Sequence, residues 1–88
     1  MNIHTIYYTS HFAKKYKKLP VRIKKLAEKK EKVFRNNLAA KILKTHKLTG
    51  KLKNYYAFSI NREYRILFCF EKDGSVTFIN IGTHAIYQ

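Results

Sequence analysis

Acidic residues are scarce in this chain: five Asp and Glu stand against nineteen Lys and Arg among 88 residues, a formal charge of +14 at pH 7. So few scattered acids give no carboxylate cluster for a two-metal site and no attraction for cationic partners. Cysteine is limited to Cys69, which excludes an internal disulfide and a cysteine-rich zinc site and suits a plain core residue. The longest apolar run, Ile66 to Phe70, is far short of the ~20 residues a membrane-spanning helix needs. Met1-Asn2-Ile3-His4 carries no signal-peptide pattern, so we expect a cytoplasmic protein without a membrane partner. With three glycines and one proline, the chain has no Gly-rich phosphate loop, and it also lacks an H-E-x-x-H zinc motif and a serine nucleophile elbow.

What is present is a folding composition, 45% hydrophobic and 15% aromatic, too apolar for a disordered basic tail. The length predicts a single domain over residues 1–88 with a modest core. Charge is segregated along it. Residues 14–53 hold fourteen of the fifteen lysines plus Arg22 and Arg35 against only Glu28 and Glu31, while the remainder balances to zero. Such one-sidedness points to a polyanionic partner, because neutralising phosphates releases condensed counterions. A lysine-rich solvated face would explain solubility but not the segregation.

Alternation predicts an opening strand over Asn2–Tyr8, and Ser10 is the expected cap of a helix carrying Phe12, Ala13, Tyr16 and Leu19. Pro20 suits the first turn of a second, antiparallel helix that turns Ile23, Leu26, Ala27, Val33 and Phe34 to the core and ends near Asn36 and Asn37. Asn37 is the expected cap of a short further turn, Leu38 to Leu43. From Asn54 the period becomes two. Tyr56, Phe58 and Ile60 face one side, Asn61-Arg62 turns the chain, and Tyr64, Ile66, Phe68 and Phe70 alternate with Arg65, Leu67 and Cys69. Asp73-Gly74 then precedes a third strand, Val76 to Ile81. The order β-α-α-β-β-β predicts an α+β fold, an antiparallel sheet with one face covered by the N-terminal helical pair.

Histidine supplies the proton-transfer candidates, since its ordinary pKa lies near neutrality. His4 and His11 occupy an edge strand and a lysine-rich turn and read as structural or solvated. His46, in the polar segment entering the sheet, and His84, just after Gly82-Thr83, stand where side chains can face a cleft. Arg65 lies on the strand face opposite Tyr64, Ile66, Phe68 and Phe70, where its guanidinium needs solvent or an anion, and phosphate matches its planar fork. Glu63 serves either as an ion-pair partner or as a further proton-transfer group. Tyr87 offers a ring to stack on a base or a hydroxyl for a phosphate. These parts suit metal-independent RNA cleavage without a cofactor. A ribose 2′-hydroxyl attacks its own 3′-phosphate, so the protein need supply only base, acid, cation and orientation.

The order of elements, with Lys47-Leu48-Thr49-Gly50-Lys51-Leu52, Tyr64-Arg65-Ile66-Leu67-Phe68 and Ile81-Gly82-Thr83-His84-Ala85-Ile86-Tyr87, resembles the RelE/ParE superfamily of bacterial type II toxin-antitoxin toxins over nearly the whole chain. The resemblance is strongest to RelE, YoeB and YafQ-like mRNA interferases. It implies a toxin that cleaves mRNA in the ribosomal A site by 2′-hydroxyl attack and is held inactive by a cognate antitoxin wrapped partly around it. Its motifs place His46 at the histidine of H-x-L-x-G, Arg65 at the arginine of the Y-R strand and His84 at the C-terminal catalytic histidine. Tyr87 lies close to the terminal aromatic, and Glu63 falls near an acidic residue functional in YafQ-like members. Ser59 departs from the pattern, standing where those members carry a histidine, and the division between acid and base stays open. Arg65 would stabilise the phosphorane, and Lys47, Lys51, Lys53 and Arg62 would bind the backbone of mRNA or ribosomal RNA. Two alternatives belong to other classes: a ParE-like DNA gyrase poison without nuclease activity, and a non-catalytic RNA-binding module stacking bases on Tyr55, Tyr56 and Tyr87.

Overall fold

A computed structural model describes residues 3–87. The elements run β1 (Ile6–Tyr8), α1 (Ser10–Lys17), α2 (Val21–Asn36), β2 (His46–Lys47), β3 (Tyr56–Ser59), β4 (Arg65–Phe70) and β5 (Val76–Gly82). Short 3₁₀ turns lie at Lys41–Leu43, Gly50–Leu52 and His84–Tyr87. The fold is α+β, as the pattern predicts, with the strands in the order β1-β5-β4-β3-β2.

Two features of the sheet correct the expectation of an all-antiparallel arrangement. β1 pairs parallel to β5, with Ile6 beside Val76 and Tyr8 beside Phe78, so the sheet is mixed. A three-residue strand carries too little alternation to declare its partner, and this one is fixed by main-chain bonds. The Val76 amide donates to the Thr5 carbonyl at 3.2 Å, and the Thr9 amide to the Phe78 carbonyl at 3.1 Å. The second correction is β2, an added edge strand in the polar segment, antiparallel to β3. The predicted first strand also shortens to Ile6–Tyr8; its start at Asn2 lies outside the described residues.

Capping departs from the expectation by one residue. Thr9, not Ser10, caps α1, because its extended backbone (ψ 159°) lets Oγ1 accept the Phe12 amide at 3.0 Å. Its hydroxyl in turn donates to the Ile79 carbonyl at 3.1 Å, fastening helix to sheet. Pro20 stands just before α2, and its carbonyl accepts the amides of Ile23 and Lys24. Asn37 closes α2, with Oδ1 accepting the Ala39 amide at 3.1 Å, and the turn beyond it is confined to Lys41–Leu43 behind Ala40.

Helical spacing brings Phe12, Ala27 and Phe34 to one face of the sheet. Phe34 is fully buried, its ring 4.7 Å from Phe58, 4.9 Å from Phe68 and 5.6 Å from Phe78, centroid to centroid. These offset and edge-on contacts add roughly 0.5–1.5 kcal/mol per pair beyond burial. Most lysines of the two helices are exposed, while Lys24 and Lys30 are half-buried. No helix among the described residues is long and apolar enough to cross a membrane.

Candidate active site

Register places the polar candidates on the sheet face away from Phe34. Arg65 stands directly opposite Ser59 on β3 and Gly82 on β5, and His46 stands opposite Ala57, two residues from Ser59 on the same face. The hairpin that presents Arg65 is set by Asn61, whose Oδ1 accepts the amides of Glu63 (2.9 Å) and Tyr64 (2.8 Å), a side chain imitating a backbone turn. The same loop holds the guanidinium. Arg65 Nη1 donates to the carbonyls of Asn61 (2.8 Å), Arg62 (3.1 Å) and Tyr64 (3.2 Å), and none of these bonds uses Nε or Nη2.

Gly82 brings the last turn over this arginine. A Cβ there would lie 2.9 Å from Ile86 Cγ2, so a larger residue would have to displace Ile86 from the close return in which its amide donates to the Thr83 carbonyl at 3.0 Å. Ile86 is buried by that return, and His84 and Tyr87 meet edge-on at 5.8 Å between ring centroids. Burial pushes the Tyr87 hydroxyl above its ordinary pKa, against the opposing charge and hydrogen bond of Arg65. The phenol therefore stays protonated at neutral pH, a donor beside a cation.

The structure thus joins Arg65, His84 and Tyr87 in one cluster. His46 lies on the same face but on β2, two strand spacings from Arg65, about 10 Å in the hydrogen-bonding direction. Its ring is exposed and oriented, with Nδ1 3.0 Å from the Lys44 carbonyl. A carbonyl only accepts, so Nδ1 is the donor in this contact, and in the neutral ring the lone pair then lies on Nε2. Glu63 is exposed in the hairpin turn. Lys51 and Lys53 are exposed around the 3₁₀ turn beside β2, whereas Lys47 pairs with Tyr56 and projects to the sheet face opposite His46. Arg62 and Arg65 share a pocket with Lys30, Lys44 and Ser59, and sequence reasoning missed both lysines. No group of three His, Cys, Asp or Glu side chains able to hold a metal occurs among the described residues.

No protein-family model and no curated protein matches the sequence; the likeness lies in solved structures. YafQ from Escherichia coli strain BL21(DE3) superposes with a TM-score of 0.77 at 22% identity, covering 96% of this chain and 97% of YafQ. A YoeB/ParE toxin from Agrobacterium tumefaciens gives 0.77 at 15% identity, over 92% and 99% of the two chains. The Mycobacterium tuberculosis toxin-antitoxin complex RelBE2 gives 0.76 at 15% identity, over 93% and 99%. The chain has the RelE/YoeB/YafQ toxin fold. Within this RelE-like fold the Arg65–His84–Tyr87 cluster is built from the hairpin of β3 and β4 and the turn after β5, the elements whose motifs carried the resemblance.

Proposed function

We propose that the protein is the toxin of a type II toxin-antitoxin pair, a ribosome-dependent endoribonuclease that cleaves mRNA in the A site. The observation that carries the reading is the convergence of Arg65, His84 and Tyr87 on the open sheet face, with the oriented His46 on that same face. The RelBE2 neighbour, a toxin-antitoxin complex, supports a cognate antitoxin as partner.

His46 Nε2, holding a lone pair, takes the proton of the ribose 2′-hydroxyl. The 2′-oxygen attacks the adjacent phosphorus, and the bond from phosphorus to the 5′-oxygen breaks. His84 gives a proton to that leaving oxygen, so the products are a 2′,3′-cyclic phosphate and a 5′-hydroxyl. Arg65, already held by three carbonyls, meets the charge that builds on the phosphorane without reorganising. Tyr87 orients the phosphate through its hydroxyl, Glu63 supports the charge balance of the hairpin, and Lys51, Lys53 and Arg62 hold RNA backbone around the cleft, whereas Lys47, on the other face of β2, stands apart from it.

The test is induction in a bacterium, followed by mapping of new mRNA 5′ ends across the transcriptome alongside a gyrase-linked DNA-break assay. Codon-phased cuts that vanish with His84→Ala are the expected result. Intact mRNA with DNA breaks would make the protein a gyrase poison, and RNA bound but uncut would make it a binding module.

A further inference from the structure

Beside the cluster, the far side of Arg65 opens into a pocket of about 310 Å³ at the base of the β3–β4 hairpin. Lys30 reaches it from α2, Lys44 from the turn before β2, and Arg62 and Arg65 from the hairpin, with Ser59 and Asn61 between them. Four cations line one small concavity and none of the chain's five acids does. Gathering like charges is unfavourable unless an anion enters. Two of the four are also held in place. Lys30 Nζ donates to the Ile60 carbonyl at 3.1 Å and Arg65 Nη1 to the loop carbonyls, so the pocket is built rather than assembled from free side chains.

Lys44 adds an independent sign of function. It is the one non-glycine residue with positive φ among those described, at 52°, a left-handed conformation that glycine or asparagine adopts more readily. Lys44 closes the 3₁₀ turn Lys41–Leu43 in that conformation, and the carbonyl of the same residue orients His46. Arg65 lies at the junction, facing the pocket on one side and Tyr87 on the other.

We propose that this pocket binds a second phosphate of a single-stranded nucleic acid, next along the chain from the phosphate held at Arg65, His84 and Tyr87. Two anion positions sharing one guanidinium fit successive phosphodiesters of one strand better than a free ion. The inference rests on the nuclease reading for the identity of the strand, but the binding it describes needs no cleavage.

The experiment titrates the whole protein with an uncleavable 2′-O-methyl RNA oligonucleotide, and separately with inorganic phosphate. Amide shifts are followed by NMR, and the dependence of affinity on salt is measured for wild type, K44G, R62Q, H84Q and the helix-surface control K17Q. Glycine relieves the left-handed backbone, so K44G should keep or raise Tm. We expect the amides of Lys44, Asn61 and Arg62 to shift with the oligonucleotide. The slope of log affinity against log salt should fall by about 0.7 in K44G and again in R62Q, the loss of one single-strand phosphate contact each. H84Q alters the first phosphate position and should leave the shifts of the Lys44, Asn61 and Arg62 amides in place. An unchanged slope in K44G and R62Q, or an equal loss in K17Q, would overturn the proposal; so would inorganic phosphate saturating these amides without competition from the oligonucleotide. If the slopes fall as expected but natural mRNA stays uncut, the pocket stands and the nuclease reading fails. Cleavage with unchanged slopes gives the converse.

Discussion

On one face of the sheet Phe58, Phe68 and Phe78 close against Phe34, with no polar side chain in that buried cluster. Toward the hairpin end of the same strands, Ser59, Arg65 and Gly82 stand in line across β3, β4 and β5. The first face holds the fold together by burial and aromatic packing. The second relies on hydrogen bonds that the Arg65 guanidinium donates to loop carbonyls, and on a missing Cβ at Gly82 to bring His84 and Tyr87 over it. Stability and chemistry are therefore separated by the pleat of the strand, and substitutions should divide along the same line.

The largest effect should come from emptying the packed face. Phe34→Ala removes a fully buried ring that touches three others and should cost about 3–5 kcal/mol in denaturant unfolding, a large share of a small domain's stability. On the open face His84→Ala should reduce cleavage by about 10²–10⁴-fold while the unfolding midpoint stays put, since the ring is exposed. A matched loss of stability and activity in both variants would erase the division. Thr9→Ala sharpens it at the seam. Losing the cap and the bond to Ile79 should cost about 1 kcal/mol without changing cleavage by the folded fraction.

The smallest effect concerns Tyr8, at the rim of the packed face. Burial, together with its 2.6 Å hydrogen bond to Glu31, raises its pKa from the ordinary 10 to about 12. The folded state then holds that proton more tightly than the unfolded chain. The contribution is complete below pH 10 and is lost as pH rises toward 12. Tyr8→Phe should flatten this part of a stability–pH profile; an unchanged slope would show that Tyr8 is not the group responsible.

Much of this division was legible in the sequence because the pleat imposes period two. Tyr56, Phe58, Ile66 and Phe68 announced one face and Arg65 the other. Asn61-Arg62 and Asp73-Gly74 announced their turns by local side-chain bonding, seen at Asn61 and again where Asp73 Oδ1 accepts the Ser75 amide at 2.9 Å. The parallel pairing of β1 was not legible, since three residues do not encode a partner 70 positions away. β2 escaped for the same reason. Lys44 and Lys30 looked like two of many lysines, because neither a positive φ nor a helix-to-hairpin approach leaves a mark in composition. His46, Arg65 and His84 were singled out by motif, yet the contact that orients His46 depends on a main-chain carbonyl invisible to any pattern.

The most direct test of the account is the chemistry left at the cut. With the preferred codon in hand, ribosomes programmed with that mRNA would be treated with the purified protein, and the fragment ends identified. Attack by the 2′-hydroxyl predicts a 2′,3′-cyclic phosphate or its 3′-phosphate product upstream and a 5′-hydroxyl downstream, lost when that nucleotide is 2′-deoxy. A 3′-hydroxyl with a 5′-phosphate, or undiminished cutting at the 2′-deoxy position, would contradict it.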